Sequence, residues 1–159
     1  MNDPRDRTIV IERVLDAPRE RVFAAWTGPG IERWWGPDGY STVTSSREVR
    51  PGGEWRYVMR HDTHGVFPNR VRYLEITPPE RIVYDHDAGE EDTSGPMRVT
   101  VTFADRGGRT ALTLHTVLAT VEAFERARRY NAVEGGNQTI DRLAAELAGQ
   151  DGGAIGSVK

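Results

Sequence analysis

Histidines and neighbouring carboxylates are the side chains of this sequence best suited to proton transfer or metal binding. If successive strands alternate in direction, the loops at 62–65 and 87–96 and the junction at 118–121 lie at one end of a sheet. The histidines then gather towards one rim beside five acids: His61, His64, His86, His115, Asp85, Asp87, Glu90, Glu91 and Asp92. Such a rim suits a proton-transfer or metal site. The spacing provides no rigid set of three ligands, however, so solvated loop-end residues are the favoured interpretation and we expect no metal and no cofactor.

The sequence contains no residue pattern typical of other catalytic mechanisms. The sequence has no cysteine, which removes thiol catalysis, disulfides and thiolate metal ligands. It contains no serine–histidine–acid spacing and no phosphate-binding glycine loop, and the segments "GPGIERWWG" and "PGGEW" are typical of turns. Lys159 is the only lysine, so Schiff-base chemistry lacks a credible residue. Catalytic residues are therefore left unassigned.

The composition is typical of a globular domain and narrows the range of partners. The 159 residues are 37% hydrophobic and 28% charged, with a net charge of −3, so we expect no nucleic acid partner. Arg126, Arg128 and Arg129 alternate with Glu122 and Glu125, which indicates a solvated helix face. No stretch approaches the ~20 apolar residues of a membrane helix, and the N-terminus has no apolar run. We therefore expect no membrane insertion and a cytoplasmic location.

Hydrophobic periodicity predicts the elements that must position these side chains. Residues 8–15 are predicted as a strand, and "DAPRERVFAAWT" as a helix with Asp16 as its cap and Pro18 in its first turn. A second short helix covers 31–35. Six further strands are predicted over 41–50, 54–61, 66–76, 81–86, 97–104 and 109–118. A long helix over 121–147 follows Thr120 as its cap, and the phase of its apolar face shifts around Gly135 and Gly136, which indicates a bend or a change in what the helix contacts.

The order of these elements predicts the fold class. An antiparallel sheet with one apolar face must be covered, and the long helix is the only large cover available. We therefore predict an α+β fold: a curved antiparallel sheet of about seven strands wrapped around a long C-terminal helix, with two short helices after the first strand. A single domain spans 8–148, between a disordered N-terminus at 1–7 and a flexible glycine-rich tail at 149–159.

The inward positions of these strands define a candidate ligand cavity. Neighbouring residues on a helix point about 100° apart, so one of the two adjacent tryptophans can plug the core while the other faces the cavity. The candidate lining residues are Trp34, Trp35, Trp55, Tyr57, Met59, Val71, Tyr73, Tyr84, Val99, Val101, Phe103, Leu112 and Leu114. The candidate mouth residues are His61, His64, His86, Phe124 and Arg128. The alternative is a filled core in which the same side chains contact one another.

Several segments, in this order, resemble a known family: "RVLDAPRERVFAAWT", "RWWGPDGY", "VRPGGEWRYVM", "ITPPERIVY", "VTVTFADRGGRTALTL" and "EGGNQTIDRLAAEL". The chain is similar over about residues 8–148 to the bacterial homologues of the activator of the heat-shock-protein-90 ATPase, in the START-like (SRPBCC) superfamily. The resemblance implies a helix-grip fold with a hydrophobic cavity between the sheet and the long helix. It implies less about activity, because the superfamily includes lipid carriers, polyketide cyclases, hormone receptors and stress-binding proteins.

Three functions remain open on the sequence. The preferred one is binding of a small hydrophobic ligand, aromatic or acyl, as a carrier or sensor. The second is an enzyme of the cyclase/aromatase or hydrolase kind that uses the same cavity. The third is an interaction module for a chaperone or another protein. A homodimer is left open.

Overall fold

The computed structural model describes residues 3–158, with side chains described through residue 150. The seven strands are β1 (Thr8–Leu15), β2 (Ser41–Arg47), β3 (Glu54–His61), β4 (Gly65–Thr77), β5 (Arg81–Asp87), β6 (Met97–Arg106) and β7 (Arg109–Val117). The α-helices are α1 (Arg19–Thr27), α2 (Val121–Arg129) and α3 (Ala132–Val158). Two short 3-10 helices cover Pro4–Arg7 and Pro29–Arg33.

All seven strands form one antiparallel sheet in the order β1-β7-β6-β5-β4-β3-β2. Strands β2 to β7 follow one another as hairpins, and β1 closes the far side by pairing with β7 from Thr8↔Val117 to Leu15↔Thr110. The curved sheet grips α3, so the α+β helix-grip fold predicted from the sequence is confirmed. Within residues 3–158, no helix combines the length and apolarity needed to cross a membrane.

Aromatic side chains from α1, the segment after it and the sheet form the densest part of the core. Trp26 makes edge contacts with Trp34 and Phe103, at ring separations of 5.0 and 5.7 Å. Phe23 meets Phe103 in the same way at 5.2 Å. Edge-to-face pairs of this kind add about 0.5–1.5 kcal/mol each beyond their area burial. The segment between α1 and β2 is thereby fixed against the sheet.

The C-terminal helical region differs from the single long helix expected. The chain breaks between α2 and α3 at Asn131, whose φ of 56° is left-handed, rather than at Gly135 and Gly136. Asparagine tolerates this conformation better than most residues, because its short amide can bond to nearby backbone. Thr120 does cap α2, accepting a hydrogen bond from the Ala123 N–H at 3.0 Å.

The structure adds local detail at three places for which the sequence leads to an expectation. Asp16 makes no cap contact, since Pro18 occupies the N-cap position of α1 without a side-chain bond. The segment Pro4–Arg7, expected to be disordered, is a 3-10 helix held by Asp3 and by the Leu118 N–H, which donates to the Arg7 carbonyl at 2.9 Å. Helix α3 continues to Val158 through the expected tail, because glycine weakens a helix but keeps its N–H donor. Lys159 lies outside the described residues.

Helix α3 buries one face against the sheet, and this face generates a stability prediction. Leu143 is 0% exposed between Ile140 and Leu147. Leu143→Ala should lower the free energy of unfolding by about 2–5 kcal/mol, because it leaves a cavity as well as losing apolar contact. Urea denaturation measures this change. Leu74→Ala is the matched control, since Leu74 is 43% exposed and should cost well under 1 kcal/mol. Equal losses in the two variants would contradict the placement of this face.

Candidate ligand-binding site

An apolar cavity of about 350 Å³ lies between the inner face of the sheet and the junction of α2 with α3. The sheet contributes Ile9, Ile11, Tyr57, Met59, Tyr84, His86, Met97, Val99, Leu114 and Thr116. The helices and connecting segments contribute Trp26, Trp35, Gly36, Pro37, Leu118, Ala127, Tyr130, Asn131, Ala132, Gly135, Gly136 and Thr139. Among these lining residues, all within the described part of the chain, none has an Asp, Glu, Lys or Arg side chain. The cavity therefore suits an apolar guest.

The cavity reaches the surface beside α2. Tyr130 lines it and is 78% exposed. A second depression shares His86, Met97 and Tyr130 with the cavity and extends to Asp92 and Arg126. The opening thus lies between α2 and the loop that joins β5 to β6.

The structure divides the predicted lining residues into two groups. Six of them line the cavity: Trp35, Tyr57, Met59, Tyr84, Val99 and Leu114. The other seven belong to the filled core: Trp34, Trp55, Val71, Tyr73, Val101, Phe103 and Leu112. These seven point inward as expected, but they lie where α1 and the large side chains of α3 occupy the space. Alternation along a strand indicates the face of a residue, not what fills the space opposite.

The paired tryptophans have different environments. Trp34 is 1% exposed and packs against Trp26, whereas Trp35 lines the cavity and contacts Trp55 at a ring separation of 5.2 Å. One indole therefore plugs the core and the other faces the cavity, as their 100° offset allows.

Among the predicted mouth residues, only His86 lines the cavity. His61 and His64 instead form an aromatic cluster with Tyr40 and Phe67, because the β3–β4 hairpin extends beyond the part of the sheet that the helices cover. His115 is exposed on the outer face of β7.

Phe124 and Arg128 also lie off the cavity. They contact each other on the side of α2, with the guanidinium 5.9 Å from the ring centroid, while Ala127 and Tyr130 line the cavity. Within the described residues, no three histidine, cysteine, aspartate or glutamate side chains come close enough together to hold a metal ion.

A chain of hydrogen bonds forms the polar part of the cavity wall. The Trp35 indole N–H donates to the Tyr57 hydroxyl oxygen at 2.8 Å. The Tyr57 oxygen lies 3.2 Å from Nε2 of His86, and this nitrogen lies 2.8 Å from Oδ1 of Asn69. Burial lowers the pKa of His86 from its ordinary 6.5 to about 4, against the opposing effect of Asp87 and Asp92. Burial also raises the pKa of the Tyr57 hydroxyl, so both groups are neutral at pH 7.

Sequence reasoning missed Arg142, which fixes the segment that carries the cavity tryptophan. Arg142 lies on α3, and its Nη1 is 2.8 Å from the carbonyl oxygen of Gly36 and 3.2 Å from those of Pro37 and Tyr40, so its two N–H groups are shared among three acceptors. Longer contacts of 3.4 Å reach the carbonyls of Trp35 and Arg33. A guanidinium offers five donors in a rigid plane, so one side chain can satisfy several carbonyls of a turn. In the sequence, a lone arginine on an amphipathic helix resembles any solvated residue.

The glycines of α3 lie where the contacts of the helical region change, which is one of the two interpretations of the sequence. Gly135 and Gly136 line the cavity, and a Cβ on Gly136 would lie 2.5 Å from Cδ1 of Ile11. Gly136 therefore allows α3 to pack closely against the Ile11 side chain of β1, and Gly135 lies beside Pro37. Two adjacent glycines inside a helix pattern were a signal of such a close approach.

Comparison with known proteins agrees with this architecture. The family model described as Activator of Hsp90 ATPase homolog 1-like protein (AHSA1) matches residues 16–148. The chain belongs to this family. No curated protein matches the sequence.

Solved structures resemble the AHSA1-like chain over most of its length. Protein CV1439 from Chromobacterium violaceum is 28% identical, with 87% of this chain and 95% of that one covered and a TM-score of 0.76. Ms6760 from Mycobacterium smegmatis is 22% identical, with 94% of this chain and 96% of that one covered and a TM-score of 0.83. The AHSA1 protein SPO3351 from Silicibacter pomeroyi is 20% identical, with 90% of this chain and 99% of that one covered and a TM-score of 0.71. The latter two likenesses show the fold alone.

The Arg142 contacts of this AHSA1-like domain predict a large effect of one substitution. Arg142→Met keeps much of the side-chain length but removes the charged donors, and it should cost about 2–4 kcal/mol of unfolding free energy. Chemical denaturation measures this loss. Arg33→Met is the matched control on the same segment, because the Arg33 side chain is 63% exposed in its ion pair with Glu146 and this pair should contribute about 1 kcal/mol or less. A loss below 1 kcal/mol in Arg142→Met would show that water replaces the guanidinium without penalty.

The low pKa of His86 predicts a pH-dependent stability. The unfolded state binds the histidine proton below about pH 6.5, whereas the folded state resists it down to about pH 4. Stability should therefore fall as the pH drops through this window, with His86 contributing up to about 3 kcal/mol of the loss. His86→Gln should reduce the difference in unfolding free energy between pH 7 and pH 4. His115→Gln, at the exposed histidine of β7, should leave it unchanged. Identical pH profiles for wild type and His86→Gln would exclude the shift.

Proposed function

We propose that this AHSA1-like domain binds a small hydrophobic ligand, aromatic or acyl, in the cavity and acts as a carrier or sensor. The observation that carries the proposal is the cavity itself: about 350 Å³, apolar in most of its lining and open beside α2. Ligand pockets in proteins have this size and character, with a few polar groups that orient the guest. The Trp35–Tyr57–His86–Asn69 chain supplies such groups.

The expected affinity follows from the apolar area. A ligand that buries about 300 Å² of apolar surface gains roughly 7 kcal/mol at about 25 cal/mol per Å² before association costs. Those costs remove several kcal/mol, whereas the partner groups in a preformed cavity need little ordering. Apolar burial alone therefore gives an affinity near the millimolar range, and a hydrogen bond to the polar part of the wall brings the expected affinity towards the micromolar range.

The enzyme alternative receives less support from the same geometry. A general base works best with a pKa near the operating pH, and His86 lies well below it. The interaction-module alternative requires a contiguous exposed apolar surface. Among the large exposed apolar residues described, Val10, Leu74 and Val133 lie apart, whereas Val43 on β2 and Val66 and Phe67 on β4 lie on the two strands that flank β3. This alternative therefore rests on one patch at that edge of the sheet, and the cavity gives ligand binding the stronger support. Ligand binding is therefore the function we favour.

A titration tests the proposal. Flavonoid-like, fatty-acid and polycyclic compounds are added to the protein, and binding is followed by tryptophan fluorescence and by thermal shift. We expect at least one planar apolar class to bind at micromolar concentration, with quenching because Trp35 lines the cavity. If no compound of the panel binds with a dissociation constant below about 1 mM, the carrier and enzyme hypotheses are both contradicted and the interaction module is favoured.

A cavity-filling variant ties that binding to the cavity. A Cβ on Gly135 would meet Pro37 only at ordinary contact distance, 3.7 Å, so Gly135→Leu can place its side chain in the cavity. The change should raise helix propensity by about 0.5–1 kcal/mol while lowering ligand affinity at least tenfold by isothermal titration calorimetry. Gly149→Leu is the matched control, because nothing lies within 4 Å of a Cβ there on the same helix. If both variants bind as wild type does, the ligand occupies another site.

A further inference from the structure

Trp35 and His86 in the cavity wall, and Asn69 behind it, determine where the hydroxyl proton of Tyr57 can go. The Asn69 amide is oriented by its Nδ2–H, which donates to the Phe67 carbonyl oxygen at 3.0 Å. Its Oδ1 therefore faces Nε2 of His86 at 2.8 Å and can only accept. His86 must consequently carry its proton on Nε2, and because the ring is neutral this nitrogen has no lone pair to offer.

The Tyr57 hydroxyl is left with a proton and no protein acceptor for it. Its oxygen already accepts from the Trp35 indole N–H at 2.8 Å. The nearest nitrogen, His86 Nε2 at 3.2 Å, is itself a donor, so the contact can only bring a second proton towards the oxygen. Within the described part of the chain, Tyr57 has no further hydrogen-bond contact. Its side chain is 2% exposed to solvent and lines the cavity, so the O–H is available to a guest.

A second hydroxyl in the same wall has the same unused capacity. Tyr84 is 4% exposed and lines the cavity, and no described residue forms a hydrogen bond with its hydroxyl. Buried hydroxyls are normally hydrogen-bonded, because burying a donor without an acceptor is costly. Two such donors in one apolar cavity indicate that an acceptor is expected there.

The charge of the cavity limits what that acceptor can be. No Lys or Arg side chain lines the described wall, and His86 is neutral at pH 7. An ionised carboxylate or phosphate would leave water without a compensating cation, which is costly. A ligand hydroxyl or amine gains little at Tyr57 as a donor, because the oxygen of that residue already accepts from the Trp35 indole.

We infer that the ligand is an uncharged, largely apolar molecule whose carbonyl oxygen accepts a hydrogen bond from the Tyr57 hydroxyl. Ketones, quinones, lactones and esters on a planar apolar frame belong to this class. The inference rests on the proposed function, since it names the chemistry of the guest in the same cavity. Tyr57 is the residue that orients the guest, with Trp35, His86 and Asn69 fixing the direction of its proton.

The test uses two probes of equal shape, 2-acetylnaphthalene and 2-isopropenylnaphthalene, which differ in a carbonyl oxygen against a methylene group. Their dissociation constants are measured by calorimetry with wild type, Tyr57→Phe and Tyr84→Phe. Tyr57→Phe should weaken binding of the ketone by about 5- to 100-fold relative to binding of the hydrocarbon, the range expected when a buried carbonyl loses its hydrogen-bond donor. Tyr84→Phe, which removes the other unused hydroxyl of the wall, should change this ratio less, because no described neighbour fixes the direction of that proton. A larger effect at Tyr84 would overturn the assignment to Tyr57, and no change in either variant would overturn the inference.

A spectroscopic measurement on the wild type does not depend on how the variants fold. The carbonyl stretch of bound 2-acetylnaphthalene should lie at lower wavenumber than in an alkane solvent, because a hydrogen bond weakens the C=O bond. A frequency equal to that in alkane would overturn the inference.

The charge argument is tested with 2-naphthoate at pH 7. It should bind at least tenfold more weakly than the ketone, and equal or tighter binding would overturn the uncharged class. Failure of the inference and failure of the proposed function are distinguishable. If the hydrocarbon binds and the ketone is not favoured by Tyr57, only the inference fails. If neither naphthalene binds and the wider panel is also negative, both fail.

Discussion

The contact between Arg142 and the carbonyls of the segment after α1 determines where the tryptophans of that segment lie. Backbone hydrogen bonds within this segment join Trp34 and Trp35 to the Ile31 carbonyl, and the turn that follows includes Gly36 in a left-handed conformation with φ of 102°. Arg142 reaches the carbonyls of Gly36, Pro37 and Tyr40, which ties the turn to α3, and the Thr42 hydroxyl of β2 donates to the Trp35 carbonyl at 3.0 Å, which ties it to the sheet. Trp35 is then held over Tyr57, where its indole N–H becomes the first donor of the cavity wall. The polar geometry of the cavity thus depends on an arginine outside it.

The sizes of the side chains along α3 explain why one end of the domain is filled and the other is hollow. Towards the C-terminus, Ile140, Leu143 and Leu147 pack into the sheet and leave no space. Towards the N-terminus, the helix presents Ala132, Gly135, Gly136 and Thr139 to the same concave face. A glycine brings the helix backbone near β1 yet contributes no side-chain volume, and the space remains open further along. Because each absent methylene in a core forgoes stabilising contacts, the hollow end lowers stability and a bound guest would restore part of it.

The sequence allows the strands and the helix face to be predicted, because alternation along β6 and the 3–4 spacing of Ile140, Leu143 and Leu147 depend only on local geometry. The cavity could be predicted only in part. Whether inward residues such as Val101 and Val99 meet a filled or an empty space depends on what α3 and α1 place opposite, and strand periodicity contains no information about that. The structure separates the histidines predicted to gather at one rim, for a related reason. Hairpin counting placed His61 and His86 at the same end, but it could not show that the β3–β4 hairpin extends past the helical cover.

The opposite pKa shifts of Tyr57 and His86 bear on whether the cavity wall moves protons or holds them. Burial raises the pKa of the tyrosine and lowers that of the histidine, so the gap between them is wider than in water. Proton transfer from the hydroxyl to the imidazole is therefore more unfavourable in the cavity than between free side chains, and Nε2 is in any case occupied by a proton that faces Asn69. A catalytic pair normally needs its pKa values brought towards the working pH. This wall does the reverse: it keeps each proton on one atom and each donor in one direction, which suits recognition of a guest better than reaction with it.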